Sequence, residues 1–390
     1  MSAYPQDRWA WIEIDLSAVR HNVKAFKAQL NRGVKMMCVV KADAYGHGAA
    51  QCAKAMQSVG ADQFAVATVD EGVELRCSGI ESPILVLSEP PVTSIPDLVR
   101  FDIMPSVYTV DFALAYGEAA AAANKVGRYH LVIDTGMTRI GVRREDLLEV
   151  RGSIDFHRGL ECAGTFTHFA TADVLDNWDF DLQVNRFIEA VTTLKNAGYE
   201  LGLVHADNTP GTVLHKDIQF DMVRVGIGLY GLHPSKLTIP RIDLQPVMSV
   251  RGRVTRVIYP AVGDGVSYGM TWRVPRNNIQ VATVPIGYAD GLARCLSNRM
   301  DVLTRGDRVR QVGNICMDQF MVDVSAFDHI VVGEKVTLLG EDGEDRISLE
   351  ELGRLSGRFN YEFACLLGNR RIPKVFHRKG QVVSVREDLR

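Results

Sequence analysis

Strand-like and helix-like segments alternate through the first part of the chain, and that alternation restricts the possible folds more than any other feature. Eight short apolar runs read as strands: Met36–Val40, Gln63–Val69, Ile84–Leu87, Ile103–Ser106, Tyr129–Asp134, Gly164–His168, Leu203–His205 and Met222–Val225. Helical patterns separate most of them, at Ser17–Leu30, Ala49–Ser58, Asp70–Cys77, Asp111–Asn124, Arg144–Ile154 and Phe180–Asn196. Ser17 is positioned to cap the first of these. Repeated β-α units demand a parallel sheet, and eight are enough to close a barrel. The expected fold class is α/β, an eight-stranded parallel β/α (TIM-type) barrel over residues 15–237.

The texture changes after Tyr230. His233-Pro234 and the stretch through Pro240 and Pro246 hold no convincing helix, which marks a domain boundary. Beyond it come short alternating segments at Val247–Tyr259, Ile279–Pro285, Val309–Val312, Gln319–Val324 and Val336–Leu339, parted by Gly and Asp turns. They predict a mostly antiparallel β domain over residues 238–390, with one helix at Leu349–Ser356.

The chain has 390 residues, so two domains are the default. A formal net charge of −3 and the lack of a long basic run exclude a general nucleic-acid binder. The seven cysteines form no C-x-x-C pair, so neither a disulfide framework nor a cysteine zinc site is expected, and no metal. They read as reduced thiols of a cytoplasmic protein. The first residues, MSAYPQDRWAWIEIDL, do not read as a secretory signal, and no apolar run is long enough to span a bilayer.

In a β/α barrel the chemistry sits at the C-terminal ends of the strands, and phosphate commonly binds after strands seven and eight. The polar outliers fall there. Lys41 ends strand one, in Lys41-Ala-Asp-Ala-Tyr-Gly-His-Gly48. Burial disfavours an ammonium, so an amine at the end of an apolar strand suits Schiff-base chemistry; a snorkelling lysine before a Gly-rich turn is the plainer alternative. Arg139 follows strand five, His168 ends strand six, Asn208 and Thr209 follow strand seven, and Arg224 lies in strand eight. Gly226-Ile-Gly228-Leu-Tyr-Gly231 matches G-x-G-x-x-G, but a proline-broken segment follows where a dinucleotide site needs a helix. The backbone after strand eight, with Thr209, suits a monophosphate instead. A Schiff-base lysine and a phosphate cradle on one rim point to pyridoxal 5′-phosphate.

Over essentially its whole length the sequence resembles the bacterial alanine racemases. The pieces that carry the resemblance are VVKADAYGHG, DTGMTRIG, THFATAD, HADNTPG, MVRVGIGLYG, VSYGMTW, PIGYADG, GNICMDQF and YEFACLL. The resemblance implies a barrel that binds pyridoxal phosphate, a β domain that also takes the N-terminal strand (residues 1–14), and a homodimer whose active sites are shared between subunits. It implies that Lys41 holds the cofactor and is one of two catalytic bases, the other being Tyr268 of the partner subunit. Tyr45, Thr209, Gly226 and Ile227 would hold the phosphate, and Asn208 would be a further cofactor-binding residue. Arg224 would face the pyridine nitrogen, supported by His168. Arg139 would face the cofactor's phenolic oxygen and the substrate carboxylate, the backbone N–H of Met317 would be the second carboxylate donor, and Tyr288 would line the entrance. The implied activity is interconversion of L-alanine and D-alanine, supplying D-alanine for peptidoglycan.

The sequence departs from the family at two places. Many members carry a carbamylated lysine where this chain has Val132, and a gating tyrosine near where it has Asn369. Both bear on substrate range more than on reaction type. The rival readings are a broader small amino-acid racemase that takes serine, a decarboxylase of the same plan, and a non-enzymatic pyridoxal-phosphate carrier. Cys316-Met-Asp318 resembles the Cys-Asp site of the decarboxylases, but Tyr268 favours racemisation.

Overall fold

The computed structural model describes residues 9–386, so the first eight residues of the predicted N-terminal strand segment lie outside the described residues. The chain divides into two compact units: Ala18–Ala44 with Ala49–Gln245, and the rest, which takes in Tyr45–Gly48 and everything from Pro246 onward.

Strand β1 (Ala10–Asp15) runs directly into helix α1 (Leu16–Lys27). The expected cap, Ser17, lies inside that helix. Asp15 does the capping: its Oδ1 accepts from Ser17 N at 2.6 Å, and a carboxylate at this position suits a helix N-terminus. The Ser17 hydroxyl accepts instead from Lys379 N at 2.9 Å.

The first unit is the barrel. β2 (Lys35–Val39), β3 (Gln63–Val66), β4 (Ile84–Val86), β5 (Met104–Val107), β6 (Gly127–Val132), β7 (Leu160–Phe166), β8 (Leu203–His205) and β9 (Met222–Val225) pair in parallel and close, with Met37 of β2 beside Arg224 of β9. Helices α2 (Ala49–Gln57), α3 (Val69–Cys77), α4 (Ile95–Phe101), α5 (Val110–Ala122), α6 (Leu147–Asp155), α7 (Trp178–Asn196) and α8 (Thr209–Leu214) alternate with them. Helices on one face and barrel interior on the other leave no wet face, which is why Met36, Met37, Cys38 and Val40 form one unbroken buried run. Two helices escape the sequence pattern. α4 follows Pro90-Pro91, which reads as loop, yet Pro96 sits in its first turn, where a missing N–H costs nothing. α8 is only six residues long and starts inside the Asn208-Thr209-Pro210 motif.

The second unit is a sheet built from β1, β10 (Met248–Arg253), β11 (Arg256–Ile258), β14 (Val281–Val284), β15 (Asp301–Thr304), β16 (Asp307–Val312), β17 (Phe320–Asp323), β18 (Lys335–Asp342), β19 (Asp345–Ile347), β20 (Lys374–Arg378) and β21 (Gln381–Arg386). A separate hairpin pairs β12 (Gly265–Val266) with β13 (Trp272–Arg273). Every pairing in the sheet is antiparallel except β1 with β20, because β1 enters from the far end of the sequence. The expected helix forms as α9 (Leu349–Ser356), capped by Ser348, and α10 (Asn360–Leu367) follows it without having shown in the pattern. Gly46 packs its Cα against α10: a Cβ there would lie 2.6 Å from Ala364 O.

Candidate active site

The barrel rim begins at Lys41, half-buried two residues past the end of β2. The next four residues have an unusual backbone. Ala42, Asp43, Ala44 and Tyr45 all take left-handed angles, with φ between 52° and 56°. Left-handed conformation costs an L-residue roughly 1–2 kcal/mol, and four in a row without a glycine must be held by outside contacts. The Glu71 carboxylate accepts from Ala42 N at 2.6 Å. Ala44 N donates to Val40 O at 2.8 Å, and Asp43 Oδ1 accepts from Ala49 N at 2.8 Å. Tyr230 Oη donates to Val39 O at 2.9 Å and ties down the strand end just before the lysine.

Arg224, in β9, is the buried centre of the rim. Its Nη1 donates to His205 Nδ1 at 2.7 Å; its Nη2 donates to Thr167 O at 2.7 Å, Ala206 O at 2.8 Å and His168 Nδ1 at 3.2 Å. Arginine only donates, so these contacts fix the histidine tautomers. His205 accepts at Nδ1 and therefore carries its proton on Nε2, which donates to His130 Nδ1 at 2.8 Å. His130 in turn carries its proton on Nε2, which meets no acceptor. His168 likewise has an Nε2–H free to donate. The electrostatics agree with neutral rings. Burial, then the Arg224 charge, pushes His130 and His168 down to about 3, with Arg139 and Lys41 adding to the effect on His168. His205 is pushed the same way by burial, Arg224 and His130. Burial also lowers Arg224 to about 10, against the pull of Asp207.

Asp207 is fully buried and neither of its side-chain oxygens has a hydrogen-bond partner. Burial holds its carboxyl well above the usual range and outweighs the Arg224 charge. We read it as neutral at physiological pH, since a carboxylate without donors would not survive there.

The turns after β8 and β9, where the sequence reading expects a phosphate cradle, meet at Thr209 and Gly226. Thr209 Oγ1 accepts from Gly226 N at 3.0 Å, which leaves its own proton to donate outward. Gly228 must be glycine for this approach, since a Cβ there would lie 2.4 Å from Phe26 Cζ. Asn208, expected to bind the cofactor, commits its amide to the protein: Oδ1 accepts from Gly211 N at 3.1 Å and Nδ2 donates to Phe169 O at 3.2 Å. Ile227 is buried on the turn after Gly226.

Arg139 is exposed on the loop after β6. Asp134 shapes that loop by accepting from Gly136 N and Thr138 N at 2.9 and 3.1 Å. Among the described residues no hydrogen bond or ion pair supports the Arg139 guanidinium, and Val132, where the relatives' modified lysine was expected, is buried. Gln183 of α7 was missed from sequence. It is buried and stitches the rim loops, accepting from Ala170 N at 2.8 Å and donating to His168 O at 3.0 Å and Thr135 Oγ1 at 3.3 Å. A polar side chain on the buried stripe of an amphipathic helix was the available signal.

The remaining predicted residues lie in the second unit. Tyr45 sets its ring edge-on to Tyr361 at 6.4 Å, and burial followed by Cys365 drives its phenol upward. Tyr268 is 72% exposed on a tight turn after β12; Asn314 Nδ2 donates to its carbonyl at 2.6 Å. Met317 and Tyr288 belong to facing loops, joined by Ala289 N to Met317 O at 2.9 Å and Tyr288 N to Cys316 O at 3.0 Å. Arg371 braces the Met317 loop through Asp318 at 2.9 Å. Asn369 folds into its own turn: Nδ2 donates to Leu366 O at 3.0 Å and Oδ1 accepts from Arg371 N at 2.8 Å. Among the described residues no cluster of His, Cys, Asp or Glu is placed to hold a metal ion, and no helix is long and apolar enough to cross a membrane.

A parallel barrel with a buried arginine bonded to histidines at the C-terminal strand ends, and an antiparallel sheet carried on the same chain, is the plan of a β/α-barrel enzyme. Comparison with known proteins gives the family. Residues 14–234 match the alanine racemase N-terminal domain, and residues 247–376 match the alanine racemase C-terminal domain. The chain is 39% identical to alanine racemase 2 of Oceanobacillus iheyensis, over 97% of this chain and 95% of that one. It is 38% identical to alanine racemase 1 of Bacillus subtilis, over 100% and 98%. A crystal structure of alanine racemase from Bacillus anthracis with bound L-Ala-P superposes with a TM-score of 0.93 at 37% identity, covering 99% of both chains. The chain belongs to the alanine racemase family, and it is an isomerase.

The buried charges make stability depend on pH in two opposite ways. The histidine pKa values are depressed in the fold, so their contribution is complete above the unfolded value of 6.5 and is lost as pH falls toward 3. His130→Asn keeps an acceptor for His205 and removes one titrating group. The stability lost between neutral pH and about pH 5, read from urea unfolding, should shrink by about 2 kcal/mol. Asp207 works with the opposite sign: its raised pKa makes the fold lose stability as pH climbs above 3.8. Asp207→Asn should therefore melt higher than the parent at neutral pH, with the gap closing near pH 4. A lower melting temperature at neutral pH would mean that the carboxylate is charged and useful.

Proposed function

We propose that this chain interconverts L-alanine and D-alanine with pyridoxal 5′-phosphate, using Lys41 and the partner subunit's Tyr268 as bases on opposite faces of the substrate Cα. The observation that carries the cofactor is Arg224. Its Nη groups are committed to the rim, while its Nε–H meets no acceptor among the described residues. An unprotonated pyridine nitrogen is the acceptor such a donor fits, since arginine has no proton to give up. The Thr209 hydroxyl and the Gly226–Ile227 turn would hold the phosphate, with Tyr45 as a further hydroxyl. Asn208 supports this from behind, by holding the turn that presents Thr209.

When bound, pyridoxal phosphate supplies a carbonyl to join the amino group and a conjugated ring to spread the charge left by a departing Cα proton. The chain's own residues do the rest. Lys41 holds the cofactor and moves the proton on one face; Tyr268 moves it on the other. Arg139 and the Met317 N–H would pin the substrate carboxylate so that Cα stays between the two bases. The neutral His168 would support Arg224 by accepting at Nδ1, and Arg139 would face the phenolic oxygen. Homodimerisation, a cytoplasmic location and supply of D-alanine to peptidoglycan belong to the same reading.

The decisive experiment is purified protein with L-alanine in heavy water, which should yield D-alanine carrying deuterium at Cα. Release of carbon dioxide instead would point to the decarboxylase alternative. Lys41→Ala should lose the cofactor attachment site, so borohydride reduction of the parent should label Lys41 and no other lysine. Tyr268→Phe should keep cofactor binding and lose roughly 10²–10⁴-fold in turnover. Normal exchange from both enantiomers in that variant would remove Tyr268 from the mechanism.

Asn369 bears on substrate breadth. Its amide is tied into its own turn and places no ring where the relatives' tyrosine is expected. Exclusion of a slightly larger side chain by shape is worth only about 1–3 kcal/mol. We expect L-serine to be accepted at an appreciable fraction of the alanine rate, and Asn369→Tyr to raise the alanine-to-serine ratio of kcat/KM. A ratio that is already large and does not move would show that this position sets no limit.

A further inference from the structure

We propose that Glu71 is a positioning residue for Lys41, holding the left-handed turn that presents the amine; the proposal rests on the role proposed for Lys41.

The turn has no internal reason to persist. None of Ala42, Asp43, Ala44 or Tyr45 is glycine, and all four have φ between 52° and 56°. Something must hold the first residue after the lysine, and that is Glu71 at the start of α3. One of its oxygens accepts from Ala42 N at 2.6 Å. The other accepts from Ala67 N at 2.8 Å and Thr68 N at 3.2 Å. The Thr68 hydroxyl completes a reciprocal capping box by accepting from Glu71 N at 3.3 Å. One carboxylate thus bolts the loop after β2 to the loop after β3.

A capping box uses only one of these oxygens. The other is surplus to the helix and is committed to the peptide that follows Lys41. The Lys41 backbone cannot rotate about its own ψ without moving that N–H, so the clamp limits where the amine can go. Charge-assisted bonds of this kind are among the stronger ones available.

The two roles separate chemically. Glutamine serves a capping box as well as glutamate does, so Glu71→Gln keeps the bond to Thr68. Its remaining group is an NH₂, which then faces the Ala42 N–H donor to donor. The expected result is a melting temperature close to the parent's, with amide hydrogen exchange at Ala42 and Ala44 faster by roughly tenfold or more. In the loaded enzyme kcat should fall roughly 10- to 100-fold with KM little changed. Thr68→Ala is the converse control: it weakens the cap and melting temperature but should leave exchange at Ala42 as in the parent.

Unchanged exchange at Ala42 and Ala44 in Glu71→Gln would overturn the proposal, and so would faster exchange with an unchanged kcat. Should Glu71→Gln not fold, Glu71→Asp, too short to reach both loops, carries the same readouts. The exchange measurement needs no cofactor. If borohydride labels a lysine other than Lys41, the functional reading fails on its own evidence, while the clamp is still judged by exchange.

Discussion

A guanidinium with almost no exposed surface sits where eight strands converge, and the rim is arranged around the need to satisfy it. Arg224 is 3% exposed, and its charge could not persist there without acceptors on several sides. Thr167 and Ala206 give carbonyls from the ends of two neighbouring strands, and two histidines give ring nitrogens. Each partner lies at the C-terminal end of a parallel strand, where backbone oxygens no longer needed by the sheet point inward. The barrel thus supplies the acceptors, and the guanidinium in turn holds three strand ends in register.

The same demand sets the protonation of the neighbourhood. A histidine that accepts from arginine cannot also be cationic, so His205 and His168 are locked neutral, and His205 passes the constraint to His130. An orphaned ring N–H on His130 costs about 1–3 kcal/mol, and a neutral Asp207 without a partner is a further cost. Polar groups left imperfectly satisfied around a buried cation are typical where a site must meet a ligand rather than its own side chains.

The barrel was legible because period and chemistry agreed. Apolar runs such as Met36–Val40 end in a polar residue at the same place each time, and that is where Lys41, His168, His205 and Arg224 stand. What the sequence did not show was local. α4 hid behind Pro90-Pro91, α8 was shorter than any helical period, and α10 followed α9 too closely to separate. Asp15, not Ser17, caps α1, because a strand that runs straight into a helix leaves its last side chain at the cap. The left-handed turn at 42–45 had little signal: of Ala-Asp-Ala-Tyr only Asp43 tolerates positive φ well, and local bonds at Asp43 and Ala44 are joined by the Glu71 contact, which is distant in sequence. Gln183 showed only as a polar side chain on the apolar stripe of α7, and its loop contacts appear once the helix is docked. Asn208 was recognised as part of the cradle, but its place in the motif could not distinguish a ligand-facing amide from one that caps α8.

Charge at the rim has a direction. The charges of Arg224, Arg139 and Lys41 all push His168 the same way, and Arg224 also touches its ring. Three cationic side chains around neutral imidazoles give a field that favours an anion and resists a proton. A substrate carboxylate and a phosphate both suit that field; a second ammonium does not, unless it loses its proton on arrival. On the function proposed for this chain, such a field would favour an amino acid that arrives carboxylate first and reacts as a free amine. Arg139 is the exposed member of the set and makes no bond within the described chain, so its charge is the part least committed to structure. Where the buried Arg224 is fixed by the strands behind it, Arg139 answers to whatever anion comes to the rim.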